Sequence, residues 1–498
     1  MDPVMQDTGE SVLVPGRTCW RIEPADRFAL IIDASEYFRQ AKAAMLKARY
    51  RIMLIGWDFD VRIQFEPKEQ TLEGPNRLGA FLSWLPKNRP SLRIYLLKWD
   101  LGVLQSLGRG MMPIFIHNWM TSGRLRFKLD SMHPAGAAHH QKIVVIDDAM
   151  AFCGGIDMTV DRWDTREHLD DHPCRVKPNG DPHGPWHDAT TAIDGEAALA
   201  VGDLARERWR QATGEKIEPV PAGNDPWPDG LAPTIRNVNL GIARTLPELD
   251  DGKGVLEIEA LYLKAIGNAR RTVYLESQYF ASRKIATALA DRLREPDGPE
   301  IVLVLPQSAE GWLEQQAMDG ARVSLFRMLW GADANKRFGA FYPVTERSEP
   351  IYVHAKIMVI DDTLLRVGSS NLNNRSMCFD TECDLAFEAR NDSPANDHVR
   401  EAIVAVQNDL LCEHLGVERD VFQKVLDDLS GSVLAAIGKL LGTGRSLKPF
   451  EEADVADDET ALAENELLDP EQRSATMAKR LVSSFRDFAS GLKPWQSH

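Results

Sequence analysis

The sequence predicts an α/β protein of two duplicated halves, each a mixed sheet sandwiched by helices, packed about a pseudo-two-fold axis. Three observations predict this. Apolar strand-like runs alternate with helix-period segments along the chain, the pattern of an α/β sheet. Segment 269–280 repeats segment 48–59 at a constant offset of 221, and the pattern His-x-Lys-x4-Asp occurs twice, at 140–147 and 354–361. Between the copies lie five prolines, at positions 219, 221, 226, 228 and 233, a composition that breaks both helix and strand periodicity.

Taken in order, residues 1–20 read as a loose N-terminal arm. The first half, 21–218, carries a helix-period segment at 34–49 and strands at 52–57, 92–97, 124–127 and 143–146. A Pro-rich linker follows at 219–234. The second half, 235–425, repeats the programme, with strand 301–305 answering 92–97. The remainder, 426–498, reads as a helical and acidic tail. Its stretch 451–466 holds eight acids and no base before an amphipathic segment at 477–488.

Composition narrows the function classes. In 498 residues, 74 Asp and Glu outweigh 58 Lys and Arg, for a net charge of −16. That balance argues against a dedicated nucleic-acid binder, which works by neutralising phosphates. With 44% hydrophobic and 27% charged residues, wholesale disorder is excluded and more than one core is expected. Six scattered cysteines without a C-x-x-C pair read as reduced thiols. The N-terminus is acidic and no run approaches 18 apolar residues, so neither a signal peptide nor a transmembrane helix is expected. The expectation is a cytoplasmic protein that meets membranes only peripherally.

The chemistry lies in the repeated motif. His-x-Lys-x4-Asp should arise by chance about 0.03 times in a chain of this length, and here it arises twice, as His140, Lys142 and Asp147 and as His354, Lys356 and Asp361. Gly154 and Gly368 each lie fourteen residues past their histidine, followed by Gly155 and Asp157 in one copy and by Ser369 and Asn371 in the other. Downstream, Asp188 and Glu382 each place a carboxylate before an alternating strand. Two histidines and two lysines facing one cavity would suit an oxyanion with two oxygens to neutralise, so the expected substrate is a phosphodiester. Asp188 and Glu382 are candidates to orient His140 and His354 respectively. Asp147 and Asp361 read as structural anchors of backbone or lysine. Trp57, Trp99, Trp163, Trp186 and Tyr279 are candidates to line a lipid or quaternary-ammonium pocket. Other histidines nearby, including His139, His168 and His187, fit no zinc spacing, and the expectation is no metal.

These residues resemble the phospholipase D family over about residues 18–412. Beyond the paired motif, the resemblance rests on the Arg162-Trp163-Asp164 and Pro185-Trp186-His187-Asp188 segments, on Gln278-Tyr279 after a strand, and on the stretch Gly368 to Ser376. It is closer to the phospholipid-hydrolysing branch than to the short nucleases. Two departures stand out: Ser277 replaces the Asn more usual in that family, and no calcium- or phosphoinositide-binding module precedes the catalytic region. The resemblance implies a phospholipase D that hydrolyses the distal phosphodiester of a glycerophospholipid to phosphatidate and free headgroup. The route would be a phosphohistidine on His140, with His354 as acid, no cofactor, and water or an alcohol as acceptor. Asn371, Ser369, Gln278, Asp157, Trp57, Trp186 and Tyr279 are the expected substrate contacts. Alternatives are a cardiolipin-synthase-like phosphatidyltransferase, a phosphodiesterase or nuclease of the same superfamily, and a catalytically inactive lipid-binding scaffold. With both motifs in one chain, a monomer suffices.

Overall fold

The computed structural model describes residues 11–100, 123–134, 136–248, 254–309, 318–389, 396–451 and 469. Its first strands are β1 (Arg21–Ile32), β2 (Arg51–Gly56), β3 (Arg93–Trp99), β4 (Leu125–Asp130), β5 (Ile143–Ile146), β6 (Met150–Gly154), β7 (Trp186–His187) and β8 (Ala189–Asp194). The second series comprises β9 (Ile235–Leu246), β10 (Val255–Leu256), β11 (Thr272–Glu276), β12 (Glu300–Val304), β13 (Phe338–Val344), β14 (Tyr352–Val353), β15 (Ile357–Ile360), β16 (Leu364–Gly368), β17 (Glu382–Glu388) and β18 (Ser446–Pro449). One sheet runs β4-β3-β2-β5-β6-β8-β1-β9-β17-β16-β15-β11-β12-β13-β18. Read outward from the antiparallel β1·β9 pair, the two arms have the same order, so the duplication of the sequence is a duplication of topology.

The central strands are continuous apolar runs because both faces are covered. On one face of the first arm lie α1 (Ala34–Leu46) and α2 (Leu78–Asn88), and on the second arm α4 (Glu257–Asn268), α5 (Arg283–Arg294) and α6 (Gly320–Ala332). The opposite face is shared, with α3 (Gly195–Thr213) and α8 (Asp397–Leu415) packed into one core drawn from both arms. Short α7 (Asn374–Cys378) precedes β17, while α9 (Arg419–Asp428) and α10 (Val433–Leu440) follow α8. No described helix is long and apolar enough to cross a membrane.

At three of the expected boundaries the structure shows packing that composition does not announce. Residues 11–20 are docked, since Leu13 and Cys19 are buried in the core of the second arm and the amides of Val12 and Leu13 donate to Glu388 at 2.7 and 3.3 Å. In the linker, Trp227 and Leu231 are buried in the first arm's core, and Asn224 donates to Asp147 at 2.6 Å. Position 425, the expected end of the second half, falls inside α9, and β18 adds an antiparallel strand to β13. Apolar side chains in each segment override its loop-like composition. The amphipathic stretch at 477–488 and the acidic run beyond 451 lie outside the described residues.

Close strand approach explains the motif glycines. Gly154 faces Thr190 and Gly368 faces Asp384 in register. A Cβ on Gly154 would stand 2.7 Å from Thr190 Cβ, and one on Gly368 would stand 2.6 Å from Asp384 Cα. Asp384 is fully buried and bound to Arg366 Nε at 2.8 Å, so neither side can yield. Gly368→Ala is therefore expected to cost about 3 kcal/mol, read as a fall in the chemical-denaturation midpoint at unchanged slope.

Candidate active site

His140 and Lys142 do not lie along a strand but just before β5, and His354 and Lys356 just before β15. Asp147 and Asp361 fix this placement from the far ends of those strands. Asp147 accepts from the amides of Arg49, Tyr50 and Arg51 at 2.7, 2.8 and 2.7 Å. Asp361 does the same for Arg270, Arg271 and Thr272, at 2.9, 2.7 and 2.7 Å. Both acids hold positive φ, 53° and 51°, where Asp is among the few tolerated side chains. They anchor backbone on the far side of the strand from the histidines.

The pairing of acids with histidines is the reverse of the expected one. His140 Nδ1 lies 3.0 Å from Glu382, and His354 Nδ1 lies 2.7 Å from Asp188. Each imidazole is thus oriented by the carboxylate of the opposite arm. The backbone explains the exchange: the His140 amide donates to Thr381 O at 2.9 Å, and the His354 amide to His187 O at 2.8 Å. Each motif is stitched beside the other arm's acid. Gly155 completes the fit, because a Cβ there would collide with the Asp188 carboxylate.

The lysines fold back over their own motif. Lys142 Nζ donates to His140 O at 3.0 Å and pairs with Asp157 at 3.1 Å, while Lys356 Nζ donates to His354 O. The position matching Asp157 is Asn371, which offers no charge, and among the described residues no carboxylate lies within ion-pair distance of Lys356. Burial lowers Lys356 to about 7. Asn371 Oδ1 is buried without a hydrogen-bond partner, a polar group left open in the site.

Ser369 is not placed to meet a substrate through its hydroxyl, which donates to Glu382 at 2.5 Å. Ser376 donates to the other Glu382 oxygen at 2.7 Å. Gln278 donates to the hydroxyls of Tyr279 and Tyr352, each at 2.9 Å, and Tyr352 stacks on Trp186 at 4.5 Å. Trp186 in turn lies 5.4 Å from the His354 ring and carries the Arg162 guanidinium at 4.1 Å. This wall follows from β14 pairing with β7 across the two arms. Trp57 stacks on Trp99 at 6.0 Å, and that stack leads through His133 to His139 rather than to either motif histidine. Trp163 packs against His172 at 5.0 Å. Sequence reasoning had not singled out Ser376, Arg162 or Tyr352 as site residues. The first two lie inside the motif segments, and only the fold brings in Tyr352.

Burial, then the charges of Lys142 and Lys356, hold His140 well below the usual histidine range. Burial and then Lys356, Arg162 and Lys142 do the same to His354. Burial pushes Glu382 up to about 8 against the pull of Ser369, Lys142 and Ser376, and it also raises Asp188. With no anion bound, these shifts favour two uncharged imidazoles beside two lysines, a nucleophile without its acid. A bound anion reverses the sign of the local field and raises the imidazoles and Lys356, so the complex takes up protons. We expect binding of tungstate near pH 7.5 to draw in roughly one proton per site and to weaken as pH rises. Calorimetry in buffers of different ionisation enthalpy checks this, and buffer-independent heats would refute it.

The chain has relatives among known proteins. The sequence profile described as "Cardiolipin synthase, PLD-like domain" matches residues 262–406. Phospholipase D A of Dictyostelium discoideum is 23% identical over 436 residues, covering 73% of this chain and 33% of that protein. Phospholipase D alpha 4 of Arabidopsis thaliana is 24% identical over 508 residues, covering 80% of this chain. The chain spans only 33% and 65% of the lengths of these two relatives. Among solved structures, phosphatidylserine synthase from Haemophilus influenzae Rd KW20 superposes with a TM-score of 0.53 at 11% identity, over 94% of this chain and 96% of that one, a likeness of fold. Paired histidine-lysine motifs joined across a duplicated sheet, together with these relatives along most of its length, support the phospholipase D family as the one this chain resembles.

Proposed function

We propose that this protein is a phospholipase D, a phosphoric diester hydrolase that cleaves the distal phosphodiester of glycerophospholipids. The observation that carries the reading is the crossed pair of dyads, His140 with Glu382 and His354 with Asp188, beside two lysines. His140 Nε2 attacks phosphorus, a P–N bond forms, and the bond to the headgroup oxygen breaks as His354 hands that oxygen a proton. His354, now neutral, takes a proton from water. The resulting oxygen nucleophile attacks phosphorus, the P–N bond breaks, and phosphatidate leaves. Lys142 and Lys356 neutralise the negative charge developing on the phosphoryl oxygens, so no metal is required at the phosphorus. We assign the nucleophile to His140 from the family resemblance.

A second acceptor is favoured by one observation: the profile that matches residues 262–406 is described by cardiolipin synthase. An alcohol taking the place of water gives phosphatidyl transfer through the same intermediate. The protein would act at a phospholipid membrane surface as a peripheral monomer. Incubation with mixed phospholipid vesicles in EDTA is expected to release phosphatidate and headgroup, and added 1-butanol is expected to divert part of the product to phosphatidylbutanol. Intact vesicles alongside cleavage of a DNA substrate would move the assignment to the nuclease branch. Phospholipid binding without cleavage of either substrate would indicate a scaffold.

A further inference from the structure

Behind Asp188 the two arms bury a second set of ionisable groups that phosphoryl transfer does not use. Asp33, His168, His187 and Glu413 are all buried, and each places one oxygen or nitrogen within 4.8 Å of the others. His187 Nδ1 stands 3.0 Å from Glu413 Oε1 and 3.5 Å from Asp33 Oδ1. His168 Nε2 stands 3.3 Å from Glu413 Oε1 and 3.6 Å from Asp33 Oδ2. Donors about 2.0–2.1 Å from a tetrahedral ion lie about 3.3–3.4 Å apart along the edges; the two separations to Glu413 Oε1 and the two to the Asp33 carboxylate, one to each of its oxygens, bracket that value.

Three further facts point the same way. The outward nitrogen of each imidazole is held by a carboxylate, His168 Nδ1 by Asp164 at 3.0 Å and His187 Nε2 by Glu276 at 2.9 Å. This contact fixes the tautomer and ring orientation of a metal-binding histidine. Asp33 Oδ2 is fully buried and makes no hydrogen bond, a cost that an ion would remove. Asp33 also holds φ at 64°, a strained conformation for a residue other than glycine, of the kind retained where a site demands it.

We infer that Asp33, His168, His187 and Glu413 bind one zinc-class divalent ion, which clamps helix α8 to the turn between β1 and α1. Charge supports it: two carboxylates and two neutral imidazoles cancel a dication, and Arg166, paired with the other oxygen of Glu413, is balanced by Asp409 at 2.8 Å. The surrounding Asp164 has Arg175 at 3.1 Å, and Glu276 has His414 at 3.0 Å and the Tyr274 hydroxyl at 2.5 Å. Two imidazoles favour zinc over magnesium or calcium, which prefer all-oxygen cages. This departs from the sequence expectation of no metal, because no two of the four ligands have zinc-motif spacing. The ion would act as a staple and not at the phosphorus. The Asp188 amide donates to Asp33 Oδ1 at 3.1 Å, and Asp188 O accepts from the Asp33 amide at 2.8 Å. The ion therefore positions the carboxylate that orients His354.

The test begins with metal content of the wild-type protein by inductively coupled plasma mass spectrometry. About one equivalent of zinc per chain is expected to survive brief EDTA treatment. After denaturing removal and refolding, zinc is expected to raise Tm by about 5 °C or more, and cobalt to give the intense visible bands of a four-coordinate site. Asp33→Asn and His168→Gln should lose the ion and the cobalt bands. His354→Asn should keep both while losing turnover, so that failure of the proposed catalysis and failure of this site are told apart. Folded wild-type protein with under about a tenth of an equivalent of any divalent metal and no Tm response to zinc, cobalt or manganese overturns the site. The cluster would then be a protonated ion-pair network.

Discussion

His354→Asn is expected to release one burst of p-nitrophenol from the p-nitrophenyl ester of phosphatidate and then stop, whereas His140→Asn gives no burst at all. The argument rests on what each imidazole supplies under the proposed chemistry. An alkoxide headgroup is a poor leaving group, so loss of the acid should slow cleavage of natural lipid by about 10²–10⁴-fold. p-Nitrophenolate leaves without a proton, so attack by His140 should proceed at close to its normal rate even when His354 is Asn. The second step still needs a base to activate water, and without it the phosphohistidine persists after about one equivalent of product. Loss of the nucleophile offers no such escape, and the rate should fall by about 10⁴-fold or more with either leaving group. Rapid-mixing absorbance reads the burst and intact-mass spectrometry reads the adduct. A burst in His140→Asn instead would exchange the two roles, and no burst in either variant would reject a covalent route.

Much of this was legible in the sequence, for identifiable reasons. The duplication showed because each half repeats backbone solutions that need particular residues. Asp147 and Asp361 serve three amides each at positions exactly 221 apart, 49–51 and 270–272, and glycine is required where β6 meets β8 and where β16 meets β17. The two arms of the sheet followed from apolar strands covered on both faces. What the sequence could not show is what crosses between arms. The partners of His140 and His354 are 242 and 166 residues away, and spacing within one half assigns each acid to the wrong histidine. Ser369 was expected at the substrate and instead supports Glu382, because β16 and β17 are adjacent and bring its hydroxyl to that carboxylate. Likewise the buried cluster of Asp33, His168, His187 and Glu413 draws one ligand from α8, one from β7 and two from separate turns of the first half, so no local pattern announces it. The segments 11–20 and 219–234 misled because polar and Pro-rich composition hides the few apolar side chains that dock them.

The crossing itself can be measured through the acids. Glu382→Gln keeps the shape but removes the carboxyl group that holds the Nδ1 side of the His140 ring, so it should behave as damage to the nucleophile: about 10²-fold slower with both natural lipid and the p-nitrophenyl ester. Asp188→Asn damages His354, so its defect of similar size should shrink with the nitrophenyl ester in the burst phase and persist in the steady state. Coupling sharpens the distinction. Once His140 is Asn, adding Glu382→Gln has nothing further to disorient and should cost little, while adding Asp188→Asn should cost close to its full single-variant effect. If each acid served the histidine of its own half, the two signatures would be exchanged. Thermal midpoints within a few degrees of wild type are the control that separates misdirected imidazoles from a disturbed interface, since Glu382 also accepts from Ser369 and Ser376 and Asp188 from the amide of Ala189 at 2.8 Å. The arms thus depend on each other for chemistry as well as for burial. Neither half alone contains a motif histidine with its orienting carboxylate, and a duplicated chain in this arrangement has one site because its two motifs are completed only across the β1·β9 seam.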